Sequence, residues 1–238
     1  MTLTQLVIAT LVVAVGASIQ GVMGFGLGLI GAPILALLDP SLVPGPLLFA
    51  VLPLTIMVAR RERGALDFHG VRWALAGRLP GTIVGSLAVA ALPERPLAIL
   101  LGSLVLLAVC ISVAGWRVDP TTGTLLGAGL VSGFMGTATS IGGPPIALLY
   151  QRQSGPQLRA TLAAYFVVGG IFSLAALAWA GEFGLTELRA GLVLLPGVLA
   201  GFLGSAALGR LIDRGYTRPA VLAFSGAAAL ALILRQLL

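Results

Sequence analysis

Long apolar stretches recur along the whole chain and are separated by short segments that contain most of the charged residues. A run of about 20 apolar residues spans the hydrocarbon core of a bilayer as an α-helix, so each stretch predicts a membrane-spanning helix. Six stretches have the length of one crossing. They cover residues 44–59, 71–92, 95–114, 159–180, 186–209 and 217–237. The pattern predicts an all-α polytopic membrane protein.

Two further apolar stretches do not fit a single crossing. Residues 5–38 form a run of 34 mostly apolar and small residues, which at about 1.5 Å per residue is far longer than the bilayer core. Residues 122–150 present the same difficulty. Each stretch contains a glycine-rich segment that loosens a helix, GFGLGLIG at 24–31 and GTATSIGGPP at 136–145. We expect each stretch to be a broken helix whose short second arm begins inside the membrane.

The two broken stretches are copies of each other. Residues 21–37 align without a gap on 133–149 with seven identities in 17 positions, and residues 79–92 match 195–208 at eight of 14 positions. This internal similarity indicates a tandem duplication. The predicted boundaries are 1–238 for a single transmembrane domain, 1–115 for repeat 1 and 116–238 for repeat 2.

The arginines distinguish a single crossing from a hairpin at each broken stretch. Lys and Arg gather in cytoplasmic loops, and all 14 basic residues of this chain are Arg. Single crossings leave seven loop arginines on one side and six on the other, whereas hairpins leave ten and three, so hairpins are favoured. The ten are Arg60, Arg61, Arg63, Arg72, Arg117, Arg152, Arg159, Arg210, Arg214 and Arg218, and the three are Arg95, Arg189 and Arg235.

The predicted fold is therefore two inverted repeats, each a broken or re-entrant helical hairpin followed by three transmembrane helices. Three crossings per repeat are an odd number, so the second repeat has the opposite orientation. Inverted repeats with broken helices are typical of transporters whose site lies near the bilayer midplane. Irregular backbone at membrane depth is tolerated only where protein or a water-filled cavity covers it. We therefore expect the two breaks to line a cavity.

Each break precedes a short helix whose first N–H groups lack intrahelical partners and whose dipole is positive at that end. Two such N-termini that converge form an anion site. The alternative is that the glycines serve only close helix packing, which we expect of Gly81, Gly85 and Gly201. Polar side chains beside the breaks are further candidates, although Ser and Thr also bond back to the preceding turn. They are Ser18, Gln20, Ser132, Thr137, Thr139 and Ser140.

Arg78 is the one ionisable residue inside a predicted span. A charge at the helix centre costs about 2.5–3.5 kcal/mol on insertion scales, and such residues usually face the bundle interior or an ion path. A guanidinium that faces inward suits bidentate contact with an oxyanion. Arg78 also lies only seven residues from the start of its span, which allows its long side chain to snorkel to the interface. The sequence leaves both interpretations open.

Composition excludes several other classes. With 58% hydrophobic and 9% charged residues, the chain lacks the charged surface of a soluble protein, and its net charge of +6 indicates topology rather than a nucleic-acid partner. Cys110 and His69 are the only residues of their types, so we expect no metal site, no cofactor and no enzyme. Gly26, Gly28 and Gly31 match G-x-G-x-x-G, but without the preceding strand that a dinucleotide site needs.

The motifs GFGLGLIGAP at 24–33 and GTATSIGGPP at 136–145, with Arg159-Ala160 after the second, resemble the sulfite exporter TauE/SafE family, also called the TSUP family of membrane permeases. The resemblance covers nearly the whole chain, but each break departs from the run of three glycines common in the family. It implies transport of sulfite, another sulfur oxyanion or an organosulfonate across a bacterial inner membrane. The arginine count, which puts the ten-arginine side in the cytoplasm, predicts that both termini lie in the periplasm. The resemblance also implies that the motif residues line the pathway. These are Gly24, Gly26, Gly31, Pro33, Gly136, Gly142, Gly143 and Pro145.

We therefore predict a permease that moves a small anion, sulfite or an organosulfonate, by alternating access at the midplane between the two repeats. Two alternatives stay open: a membrane-embedded binding or assembly subunit without transport, and a permease for another small solute. The candidate substrate-binding residues are Gln20, Gly24, Phe25, Gly26, Gly28, Gly31, Pro33, Arg78, Gly136, Thr137, Thr139, Ser140, Gly142, Gly143 and Pro145. The oligomeric state is not predicted.

Overall fold

The computed structural model describes residues 2–114, 118–212 and 217–237, with side chains except at 206–220. These residues form ten α-helices and two short 3-10 helices, Pro40–Leu42 and Arg63–Ala65. The α-helices are α1 Leu3–Met23, α2 Leu27–Leu38, α3 Gly45–Arg61, α4 Phe68–Ala91, α5 Glu94–Ala114, α6 Thr122–Thr139, α7 Gly143–Tyr150, α8 Gly155–Trp179, α9 Leu185–Ile212 and α10 Thr217–Leu237. The predicted repeat junction at 115/116, Arg117, Arg214 and the side chains of Arg210 and Arg218 lie outside the described residues.

The six predicted spans are helices in the structure, namely α3, α4, α5, α8, α9 and α10. Within the described ranges, six helices are long and apolar enough to cross a membrane: α1, α3 with the 3-10 helix before it, α4, α5, α8 and α9 as far as Ser205. Large apolar side chains such as Leu11, Ile83 and Leu203 lie exposed on them, as contact with lipid requires. The chain is an all-α, multi-pass membrane protein.

The two broken stretches fold as helical hairpins. In the first, α2 returns along α1, and Gln5 Nε2 donates to the carbonyl oxygen of Leu38 over 3.4 Å. In the second, α7 returns along α6, and Arg152 after α7 forms a 3.6 Å ion pair with Asp119 before α6. The two arms of each hairpin therefore have their outer ends at the same end of the molecule.

The breaks are turns that include a left-handed residue. Gly24 ends α1 with a φ of 87°, and Gly26 precedes α2 with a φ of 141°, which a side chain would strain. In the second break Ser140 has a φ of 64°. The hydroxyl of Ser132, which lies in α6 about two helical turns before Ser140, donates to the carbonyl oxygen of Gly142. This hydrogen bond joins the turn to α6.

The second break lies one helical turn later than the alignment of the repeats predicts. The alignment pairs Gly24 with Gly136, yet α6 continues past Gly136. Prolines account for the difference. Pro144 and Pro145 occupy the first turn of α7, where a missing N–H is tolerated, whereas Pro33 lies inside α2.

Glycines allow the closest helix pairs of the fold. α4 packs on α6 with Gly81 against the carbonyl oxygen of Leu130, and Gly85 packs on the next turn of α6. α9 packs on α1 in the same manner, with Gly201 against the carbonyl oxygen of Ala14. A Cβ at Gly81 or Gly201 would overlap that oxygen. The predicted packing role of these three glycines is confirmed.

The helices of the two sequence halves are interleaved. α4 packs on α6, α1 on α9, α3 on α8 and α5 on α10. Exchanging the two halves leaves this set of helix pairs unchanged. Each hairpin is consequently packed against helices of the other half, α1 and α2 against α9 and α10, and α6 and α7 against α4 and α5.

We expect Gly81→Leu to lower the melting temperature of the purified protein in detergent. The added side chain has no space between α4 and the Leu130 carbonyl, and overpacking of this kind costs about 1–3 kcal/mol. Gly127→Leu is the matched control, because Gly127 is an exposed glycine of α6 whose Cβ position has no neighbouring atom within 4 Å. Equal melting temperatures for the two variants would contradict the close contact of α4 and α6.

Candidate functional site

The two breaks contact each other inside the protein. Gly28, in the first turn of α2, lies against the carbonyl oxygen of Ser140, which a Cβ at Gly28 would overlap. Phe25 packs on Gly143, where a Cβ would come within 2.7 Å of the Phe25 Cβ. The turns touch because glycines occupy the contact points.

A small cavity lies between the breaks. It offers about 40 Å³ to water-sized spheres, where one water needs roughly 10–15 Å³. The cavity therefore has room for about three waters or one small anion. Nine candidate residues line it: Gln20, Phe25, Gly26, Gly28, Arg78, Gly136, Ser140, Gly142 and Gly143. Side chains of α3 and α8 complete the wall, including Leu48, Val51, Leu52 and Phe166, which the sequence did not identify.

The two helix N-termini at the cavity differ in their free N–H groups. At α2, Gln20 Oε1 accepts the N–H of Leu27 over 3.1 Å, and the rest of the first turn has no cap from the residue before the helix. At α7, Pro144 and Pro145 carry no N–H, so the first turn retains only the N–H of Gly143. The N-terminus of α2 is therefore the richer source of hydrogen-bond donors.

Arg78 lies at this cavity with 2% of its surface exposed. Its Nη2 donates to Ser173 Oγ over 3.1 Å, and Ser173 Oγ is 2.8 Å from Thr137 Oγ1. The ring centroid of Tyr165 is 4.9 Å from the guanidinium carbon. Nε and Nη1 of Arg78 are buried without a hydrogen-bond partner. The snorkelling interpretation is wrong, because the side chain points into the protein.

One face of α8 holds the guanidinium. Tyr165, Gly169 and Ser173 follow each other at intervals of four residues, so they share that face. A Cβ at Gly169 would overlap Nε and Cζ of Arg78, which makes this glycine part of the cradle. None of the three is among the site residues predicted from the sequence. The adjacent glycines at 169 and 170 are the one sequence signal that pointed to a close approach on α8.

Arg78 is the one charged residue among those that line the cavity. Arg78 forms no ion pair with any carboxylate that the structure describes. No Asp or Glu is among the cavity's lining residues. A buried cation without a partner is costly, and the positive ends of α2 and α7 add to the same potential. The environment therefore favours an anion that carries several oxygen acceptors.

Six candidate residues lie outside the cavity lining. Thr139 Oγ1 donates to the Met135 carbonyl over 2.7 Å, which is the bond to the preceding turn that Ser and Thr commonly form in helices. Thr137 contacts Ser173 behind Arg78, and Gly24 packs on Arg159. The other three are buried within α2 and α7, namely Gly31, Pro33 and Pro145.

Few polar groups line the cavity. They are the Arg78 guanidinium, the Gln20 amide, the Ser140 hydroxyl and backbone N–H groups, and His69 does not line the cavity. Across the described residues, no three His, Cys, Asp or Glu side chains form a group that would hold a metal ion. Cys110 is exposed on α5.

Comparison with known proteins agrees with the motifs. A family model described as sulfite exporter TauE/SafE matches residues 8–232, which include both breaks and every residue that lines the cavity. No curated protein and no solved structure matches the chain. The match extends over nearly the whole sequence, so the chain belongs to the sulfite exporter TauE/SafE family.

Proposed function

We propose that this protein is a permease that exports sulfite, or a sulfur oxyanion of similar size, and binds it in the cavity between the two breaks. The observation that carries the proposal is Arg78, a fully buried cation with two guanidinium nitrogens that lack partners. An oxyanion supplies both the missing charge and the missing acceptors. Membership of the family supports a sulfur anion as the substrate.

The size of the cavity narrows the choice of anion. Room for about three water-sized spheres suits an anion of few heavy atoms, such as sulfite. An extended organosulfonate such as sulfoacetate needs more space than this conformation offers. The proposed substrate is therefore the small inorganic oxyanion, with organosulfonates as weaker ligands.

Alternating access by two inverted repeats is the mechanism of this proposal. Its support is the opposite placement of the hairpins. The N-terminus of α1 and the C-terminus of α2 lie beside the start of α3. The N-terminus of α6 and the C-terminus of α7 lie instead beside the starts of α4 and α8. Rocking of the repeats about the fixed site would expose the anion to each side in turn.

The orientation of this proposal follows from the arginines. We name one end of the molecule the arginine-rich end; it carries Arg60, Arg61, Arg63, Arg72, Arg152 and Arg159. We place this end in the cytoplasm, so that both chain termini lie in the periplasm and the protein lies in the inner membrane. An anion that leaves a cell with a negative interior then moves downhill by about 2.3 kcal/mol per charge per 100 mV.

Cysteine labelling tests the inverted orientation. In a Cys110→Ser background, a cysteine at Ser41 after the first hairpin is expected to react with an impermeant reagent from the periplasm only. A cysteine at Gln153 after the second hairpin is expected to react from the cytoplasm only. Both positions are exposed in the structure. Reaction of the two cysteines from the same face would contradict the proposal.

We expect Arg78→Met to reduce sulfite flux in liposomes at least about tenfold, because a hydrogen bond to a charged group contributes about 1.5–3 kcal/mol. Arg78→Lys keeps the charge without the planar fork and is expected to retain intermediate flux. The melting temperature of the anion-free protein is expected not to fall in Arg78→Met, since the change removes an unpartnered buried cation. A fall in both flux and stability would indicate a structural role for Arg78.

Gly169→Ala tests the position of the guanidinium without touching its charge. The new methyl group would overlap Arg78 Nε, so the side chain must move, and we expect sulfite flux to fall severalfold. Gly127→Ala adds the same methyl group where nothing lies within 4 Å and is expected to leave flux unchanged. Equal flux in the two variants would contradict a role for Gly169 in positioning the Arg78 guanidinium. A folded wild-type protein without any anion flux would favour the non-transporting subunit.

A further inference from the structure

A second, larger pocket lies beside the central cavity at the arginine-rich end. It offers about 240 Å³ to water-sized spheres, sixfold more than the central cavity. The end of α1, the last turns of α5 and α7 and the start of α8 enclose it. Arg159, Ser112 and Gln151 supply its polar lining. The central cavity is thus flanked by a wider space on one side.

The two cavities share a wall. Phe25 and Pro144 line both of them, one residue from each break. The Phe25 ring packs on Gly143 at the start of α7, within 3.2 Å of a Cβ placed there. Phe25 and Pro144 therefore form the partition between the larger pocket and the Arg78 cavity, and Phe25 is the one of the two with a rotatable side chain.

Arg159 brings a net positive charge to the larger pocket. Its Nε donates to Glu62 Oε1 over 2.9 Å, and Arg61 Nε donates to the same oxygen over 3.2 Å. Two guanidinium groups thus share one carboxylate, and the cluster keeps one positive charge. The Arg159 side chain is 24% exposed, and Gly155 leaves room for its Nη1. Unlike Arg78, this arginine is partly exposed and partly neutralised.

We propose that the larger pocket is an outer anion station: a sulfite-sized oxyanion binds at Arg159 and then passes Phe25 to reach Arg78. This inference rests on the proposed function and adds the route by which the anion reaches its central site. The different environments of Arg159 and Arg78 give this route a direction. A half-neutralised, partly exposed cation holds the anion weakly, and a buried cation without a carboxylate partner holds it more tightly.

Glu62 distinguishes this role from a purely structural ion pair. If Arg159 binds the anion, Glu62 competes with that anion, so Glu62→Gln strengthens binding and Arg159→Gln weakens it. If the ion pair only ties α3 to α8, both changes destabilise the protein and neither changes anion binding in a particular direction. The two variants therefore have opposite effects under the proposal and the same effect under the alternative.

The experiment is a calorimetric titration of the detergent-solubilised protein with sulfite under nitrogen, in an Arg78→Met background that removes the central site. We expect residual weak binding that Arg159→Gln lowers about threefold to fivefold, in line with a partly exposed charge. Glu62→Gln is expected to raise this affinity by a similar factor. Arg152→Gln is the matched control: Arg152 has the same charge at the same end but pairs with Asp119 and does not line the pocket.

The outcomes separate this inference from the proposed function. Flux that depends on Arg78, together with no sulfite binding in the Arg78→Met protein, would overturn the outer station alone. Equal loss of affinity in Arg159→Gln and Arg152→Gln would also overturn it, because the effect would then be one of surface potential. Arg159→Lys guards against misfolding, and it is expected to keep binding within about twofold if the charge is what matters. Absence of sulfite flux in the wild-type protein would overturn both proposals.

Discussion

The central cavity of this bundle is built around one constraint, the enclosure of a buried guanidinium that has no carboxylate partner. Arg78 has one hydrogen bond, to Ser173, and one aromatic neighbour, Tyr165, while two of its nitrogens have no partner. Holding such a cation inside a bilayer requires a close-fitting surround. The surround exists because glycines let α4, α6 and α8 approach until backbone, rather than side chains, lies against Arg78. An incoming oxyanion would complete the set of contacts.

The hairpins serve the same cavity in unequal ways. Backbone groups at membrane depth must find partners inside the protein, and Gln20 and Ser132 each satisfy one group of a break. The first hairpin leaves several donors at the start of α2, whereas the prolines of the second remove donors and make a rigid, apolar edge at Pro144. Repetition thus gives the architecture, and divergence between the copies gives a donor-rich N-terminus at α2 and a donor-poor N-terminus at α7.

The helices and both hairpins were predictable from the sequence, because each rests on a feature of a short segment or on a count of residues along the chain. Length fixes a span, glycine and proline mark a break, and the arginine count distinguishes a hairpin from a crossing. The direction of Arg78 was not predictable, since its distance from the span end suits both a snorkelling and an inward side chain. The cradle on α8 was missed because no pattern along one helix shows which other helix it faces. The second break lies one helical turn later than the alignment with the first copy predicts, because Pro144 and Pro145 occupy the first turn of α7.

The most direct test of the central claim is the melting temperature of the purified wild-type and Arg78→Met proteins against sulfite, thiosulfate, sulfate, taurine and chloride. A ligand that binds the native state at 100 times its dissociation constant stabilises it by about 2.7 kcal/mol. We predict that sulfite raises the melting temperature of the wild-type protein more than chloride or taurine does, and that Arg78→Met loses most of this increase. An equal increase in both proteins, or none in the wild type, would contradict an anion site at Arg78.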